Sequence, residues 1–274
     1  MGIFFKLKKM GKIIGIVSLK GGVGKTSVVA SLGDAMAHFG KKSLLVDGNL
    51  SAPNLGLHFN IVEPEITLHH VLARKASPKD AIHNLEKFDV MPASIFNKLD
   101  VSPLKLGDKI GYLRKFYDAV IVDSSPALND ETLGVMLASD EILVVTTPDH
   151  PTLSNTIKAV KLAVNRGTPI SGIILNKVHD KDFEVSLKEV EDTLDLPVMA
   201  VIPYDINVLR ALSEFKSFPS YRPWSRASEE YKRLAATLIG EKYGDSGFKR
   251  FFGWVNPKAQ DVNRAIYYNE VFGK

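Results

Sequence analysis

The chain has 274 residues, 45% hydrophobic and 24% charged, with a formal net charge of +4 and no cysteine. That length suits one large α/β domain of roughly 250 residues, and the absence of thiols excludes thiolate-held iron–sulfur clusters and cysteine zinc sites within the chain. Residues 1–12 carry +4 and residues 247–274 carry +3, which leaves −3 for the stretch between them and argues against a basic body built to cover nucleic acid.

The first 19 residues mimic a signal peptide, with lysines ahead of the apolar run at 13–17, but they lack a small-residue cleavage site. They read instead as a basic, apolar extension (1–11) leading into the first strand, and the protein as cytoplasmic. Position 6 is Lys6, where myristoylation expects Ser or Thr, and Met10 offers an alternative start. No apolar run approaches the ~20 residues of a membrane span.

Between the strand at 13–17 and an amphipathic stretch at 28–39 lies Ser18-Leu19-Lys20-Gly21-Gly22-Val23-Gly24-Lys25-Thr26-Ser27. Glycines at 21, 22 and 24 let the backbone curl so that successive N–H groups point inward, and the helix starting near Lys25 adds its positive end. Such a loop cradles phosphates, with Lys25 on the terminal phosphates and the Thr26 hydroxyl on magnesium. The usual pattern asks for glycine at 19, where this chain has Leu19. The variant it matches in full is Lys-Gly-Gly-Val-Gly-Lys-Thr, headed by Lys20.

Further along, residues 43–46 predict a strand ending in Asp47-Gly48-Asn49, and carboxylates at such strand ends face the ligand crevice of an open α/β sheet. Residues 51–57 predict a loop beside the site. Helical patterns follow at 67–73 and 79–85, a strand at 88–91, and a loop and helix over 103–116. The run Ala119-Val120-Ile121-Val122-Asp123 reads as a buried parallel strand whose final carboxylate can hold magnesium through water. Strands at 142–146, 170–175 and 198–202 alternate with helices at 151–165, opened by Pro151 at its first position, and at 183–194. Closing helices are expected at 206–215 and 227–239. The expected fold is α/β: a single doubly wound, mostly parallel sheet of about seven or eight strands with helices on both faces.

With the lysine-headed loop, Asp47, the Asp123 strand, Asn54-Leu55-Gly56-Leu57 and Ile174-Leu175-Asn176-Lys177 in view, the sequence resembles the MinD branch of the ParA/MinD family of P-loop ATPases, its archaeal members most. The resemblance implies an ATPase using ATP/ADP and Mg2+ over residues 12–246. Lys20, Gly21, Gly22, Val23, Gly24, Lys25, Thr26 and Ser27 would bind the nucleotide. Lys20 would reach across an ATP-dependent homodimer to the partner subunit's phosphates. Thr26, Asp47 and Asp123 would organise the metal, Asn176 would bond adenine, and Pro203 and Asp205 would close over the base. Lys20, Lys25 and Asn49 are the catalytic candidates. Family members usually carry a carboxylate where this chain has Asn49, and an asparagine can orient water but takes no proton at neutral pH. A slow ATPase is therefore expected.

Residues 247–256 are similar to the amphipathic membrane-targeting end of that branch. On a helix at about 100° per residue, Phe248, Phe251, Phe252, Trp254 and Val255 share one side and Lys249 and Arg250 the other, which suits an anionic membrane surface. ATP-bound dimers would then sit peripherally at the inner face of the cell membrane and position an unidentified protein partner, in cell division or related spatial organisation. Nucleic acid is not an expected partner. Readings kept open are an ATP-gated scaffold with negligible hydrolysis, a flagellar or archaellar placement regulator, and a ParA-type DNA partitioning ATPase. Residues 257–274 extend past the end usual for the branch, with Ile266-Tyr267-Tyr268 and Val271-Phe272 exposed. A partner-binding peptide, a return strand and disorder are all open for them.

Overall fold

A computed structural model describes residues 10–96, 99–243 and 258–273 of the chain. Its strands are β1 (Lys12–Val17), β2 (Ser43–Asp47), β3 (His83–Asn84), β4 (Asp89–Met91), β5 (Ala119–Asp123), β6 (Glu141–Thr146), β7 (Ile170–Val178) and β8 (Val198–Pro203). They form one sheet in the order β3-β4-β2-β5-β1-β6-β7-β8, parallel except for the β3–β4 pair. The helices are α1 (Lys25–Ala37), α2 (Leu68–Leu72), α3 (Leu106–Ile110), α4 (Asp130–Ala138), α5 (His150–Asn165), α6 (Leu187–Leu194), α7 (Asn207–Ser213), α8 (Phe218–Tyr221), α9 (Arg226–Ile239) and α10 (Ala259–Phe272).

Strand alternation sorts the core into two layers. Ile13 and Val17 of β1, with Val120 and Val122 of β5, face a cluster shared with α2 to α6. Ile14, Ile16 and Ile121 face the other, built from α1, α7, α8, α9 and Tyr267 of α10. The mostly parallel sheet covered on both faces is the architecture expected from the sequence.

The elements depart from expectation in identifiable ways. The segment 79–85 is not a helix: Ser77 and Pro78 start a 3₁₀ turn over Pro78–Ala81, and β3 then pairs antiparallel with β4 through His83 and Val90. Helix α4 carries no helix expectation, because Gly134 interrupts its pattern. That glycine lets the helix approach Pro103, whose carbonyl oxygen lies 2.4 Å from where a Cβ would sit. Helix α5 starts one residue before Pro151, capped by the Asp149 side chain, and α6 starts at Leu187 behind Ser186 rather than at 183. The stretch 103–116 breaks into a 3₁₀ turn, α3 and a second 3₁₀ turn over Gly111–Lys115.

The largest departure lies at the end of the chain, where a helix, neither strand nor disorder, packs on the body. Tyr267 of α10 is buried, and its hydroxyl donates to Glu141 at 2.7 and 2.9 Å. Lys12 reaches the same carboxylate at 3.0 Å and Ser171 donates to it at 2.5 Å. Arg264 donates to the Met199 carbonyl at 2.8 Å and to Glu230 at 2.9 Å, and Asn263 donates to the Val198 carbonyl at 2.9 Å. Apart from Glu230 on α9, these partners sit at or near the amino ends of β1, β6, β7 and β8, so α10 closes the edge of the sheet opposite the phosphate loop.

Candidate functional site

The phosphate loop leaves the carboxyl end of β1, at the centre of the sheet. Gly22 and Gly24 hold φ of 80° and 89°, the left-handed region that glycine enters without strain. At Gly24 a Cβ would also lie 2.5 Å from Asn176 Nδ2, so a larger residue would displace that side chain from the loop. Helix α1 begins at Lys25 with no acidic residue in its first turn, which leaves its amide N–H groups and positive end to an anion.

Lys25 is buried and its Nζ donates to Asp123 Oδ1 at 2.6 Å and to the Ser124 carbonyl. Thr26 and Ser27 follow on the first turn, half-buried. The register of β2 against β5 sets Asp47 directly opposite Asp123, two fully buried carboxylates side by side. Burial, then the charge of Asp123, pushes the Asp47 carboxyl up to about 7, against the pull of the Leu55 and Asn49 amides and Lys25. Asp47 also accepts from the Asn54 amide at 3.0 Å. Asp123 Oδ2 and Asn49 Oδ1 are buried oxygens with no partner among the described residues. Asn49 Nδ2 donates to the Ala52 carbonyl at 2.5 Å, which turns its oxygen to the free position. Unsatisfied buried acceptors beside open amides fit a hydrated divalent cation and a phosphate chain.

Lys20 stands differently from Lys25. Its side chain is 38% exposed at the rim, 3.2 Å from Asp149 and also bonded to Thr152. Partial burial raises the Asp149 pKa, but hydrogen bonds from Thr147, Thr152 and Lys20 outweigh it and hold the carboxyl at about 2. Lys20, Gly22, Asp149, Lys177 and Phe183 line a groove of about 340 Å³.

Asn176 donates to the Val23 carbonyl at 2.7 Å and Lys177 to the Gly22 carbonyl at 2.6 Å, so the Asn-Lys pair grips the back of the loop. Lys177 adopts φ of 58° to do so. Tyr204 stacks on His179 at 4.6 Å, which brings the 203–205 loop to the end of β7. The Asp205 carboxylate accepts from the Asn207 backbone and side-chain amides at 2.8 and 2.7 Å and so caps α7.

The structure thus brings together Lys20 to Ser27, Asp47, Asn49, Asp123 and Asn176, with Pro203 and Asp205 at the margin. Phe248, Lys249, Arg250, Phe251, Phe252, Trp254 and Val255 lie outside the described residues. Three participants went unread in the sequence. Asp149 and Thr152 hold Lys20, and Asp149-His150-Pro151-Thr152 does carry a capping signal. His58 Nε2 lies 3.4 Å from Ser27 Oγ, a contact that no local pattern announces.

Comparison with known proteins agrees with this geometry. Residues 14–218 match the model of the CobQ/CobB/MinD/ParA nucleotide binding domain. An uncharacterized ATP-binding protein of Methanocaldococcus jannaschii is 36% identical over 83% of this chain and 88% of its own length. The crystal structure of the cell division ATPase MinD from Pyrococcus furiosus superposes with a TM-score of 0.78 at 34% identity, covering 82% of this chain and 97% of that one. The septum site-determining protein MinD of Pyrococcus horikoshii, solved with Mg-ADP, has a TM-score of 0.77 at 32% identity, over 84% and 96% of the two chains.

Proposed function

Since the chain belongs to the CobQ/CobB/MinD/ParA nucleotide-binding family, on its MinD branch, we propose that it is a slow ATPase switch. In this reading it dimerises around ATP, associates reversibly with an anionic membrane surface and positions a protein partner in cell division or related spatial organisation. The observation that carries the reading is the contrast between its two loop lysines. Lys25 is buried against Asp123, placed for the chain's own phosphates, whereas Lys20 is part-exposed at the rim on Asp149 and Thr152, from where it would reach a second subunit's phosphates.

ATP and Mg2+ are the ligands that this site suits. Lys25 would exchange Asp123 and the Ser124 carbonyl for phosphate oxygens, freeing Asp123 to join Thr26, with Asp47 behind, around the metal. Bound magnesium would neutralise phosphate charge. Asn49 would orient the attacking water by accepting from it through Oδ1, because its Nδ2 is committed to Ala52. It takes no proton, which is the reason for a slow rate. Asn176 would turn from Val23 to adenine as the base arrives, and Pro203 with the backbone around Asp205 would close the other side.

Turnover of the wild type against Asn49→Asp tests the rate argument. The aspartate variant is expected to be faster, and one no faster than wild type sinks it. Co-sedimentation with anionic vesicles under ATP, ADP and no nucleotide tests the switch. Because α10 packs on the body, the tail is best probed in the full chain, with Phe248, Phe251, Phe252 and Trp254 changed together to Ser. Loss of ATP-dependent pelleting is expected, and ATP-independent or unchanged binding overturns the reading. Asn49 also favours a second reading, an ATP-gated scaffold with negligible hydrolysis, which phosphate release in the presence of vesicles separates from a working ATPase.

A further inference from the structure

The loop that supplies amides to Asp47 also carries a histidine turned onto the phosphate loop. Asn54 and Leu55 donate to Asp47 at 3.0 and 2.9 Å, and three residues after Leu55 the His58 ring reaches the first turn of α1. Its Nε2 lies 3.4 Å from Ser27 Oγ, and its Nδ1 lies 3.1 Å from the Asn54 carbonyl oxygen. Two neighbours hold the ring in place. Leu55 is fully buried, and the Phe59 ring packs edge-on against Phe88 at 5.1 Å, so the stretch around His58 is fastened to the core on both sides.

A carbonyl oxygen only accepts, so Nδ1 carries the ring proton and donates it to Asn54. Burial outweighs that bond and the charge of Asp123 and keeps the His58 pKa below the ordinary histidine value. The ring is therefore neutral at physiological pH, and Nε2 is left as an acceptor. It follows that the Ser27 hydroxyl is the donor to Nε2. A hydroxyl has one proton to give. The phosphate oxygens of a nucleotide are acceptors as well, so a nucleotide seated on this turn needs the same proton that His58 holds.

We propose that His58 competes with the nucleotide for the Ser27 hydroxyl, loosening the hold of the phosphate loop on ATP and ADP and speeding their release. This rests on the nucleotide-binding reading of Ser27 above and adds a residue that sets how long the nucleotide stays. Affinity falls by the fraction of the protein in which the hydroxyl is already taken. Nε2 in turn loses its donor whenever that hydroxyl points to phosphate, which disfavours the bound state.

The test is the affinity and dissociation rate of magnesium–ADP in the full-length protein, read with methylanthraniloyl-labelled ADP. His58→Phe keeps a ring but accepts nothing, and it is expected to bind ~2–10-fold more tightly and to release the label more slowly, the effect of one hydrogen bond. A ring that merely braced α1 would act in the opposite direction, because its loss would weaken binding. His58→Gln returns an acceptor at a similar reach and should restore the wild-type affinity. With Ser27→Ala already in place, His58→Phe should change nothing, since the contested proton is gone. If urea melts show His58→Phe to be unfolded, His58→Ala decides by the same comparison. A folded variant that binds ADP no more tightly than wild type overturns the competition and leaves the switch standing. A glutamine variant as tight as His58→Phe overturns it too. Wild-type protein that binds no ADP defeats the nucleotide reading and the competition with it.

Discussion

The two edges of the sheet hold their charges in opposite ways. At the carboxyl edge, Asp47 and Asp123 are buried side by side with Lys25 bonded to Asp123, and two buried oxygens, one on Asp123 and one on Asn49, have no partner among the described residues. At the amino edge, Glu141 is buried too, yet Lys12, Ser171 and Tyr267 all donate to it. A satisfied carboxylate is a structural anchor; an unsatisfied one waits for a ligand. The same fold therefore spends one edge on holding itself together and keeps the other frustrated for nucleotide.

The contrast predicts where substitutions act. Lys25→Ala should lower ATP turnover by ~10²–10³-fold, as for loss of one donor to the developing charge, with initial-rate phosphate release as the measurement. A residual rate within ~3-fold of wild type would place the phosphates elsewhere. The pH dependence of stability sharpens the same edge. Asp47, raised to about 7, holds its proton in the folded state where the unfolded chain has lost it. Its contribution is thus fully present below about pH 4 and is lost as pH rises toward 7, by at most ~4 kcal/mol. Urea melts of the nucleotide-free protein at intervals between pH 4 and 8 should show this fall, and Asp47→Asn should flatten it.

At the amino edge, Tyr267→Phe should cost ~1–2 kcal/mol in the same melts and leave ATP turnover unchanged, because Glu141 keeps Lys12 and Ser171. A turnover defect would mean that the edges are coupled through the sheet. The smallest expected effect is Lys20→Ala. Its pair with Asp149 is exposed on both sides and should contribute under ~0.5 kcal/mol to stability. Light scattering with ATP should nevertheless show fewer dimers, and normal dimerisation would remove Lys20 from the interface.

Much of the nucleotide edge could be read locally. The glycines, Lys25 and Thr26 occur within seven residues of Lys20, and the strand before them and helix after them have their own apolar patterns. Asp47 and Asp123 stood out because each ends an apolar run. The helix α4 did not stand out, since Gly134 answers to Pro103 of a distant turn and breaks the helical pattern. The segment at 79–85 misled for the complementary reason: its short β3 exists only because β4 offers an edge to pair with.

By itself the sequence determined the alternation of strand and helix, the phosphate loop and its extra lysine, and the family, because those signals are written in neighbouring residues whose spacing the backbone reads directly. Only the tertiary structure decided which carboxylates are satisfied. The Lys25–Asp123 contact spans 98 residues and the Tyr267–Glu141 contact 126, and burial makes each partner's absence or presence decisive. Both edges carry acids of the same chemical kind. What separates a ligand site from an anchor is the donors that folding brings from far along the chain.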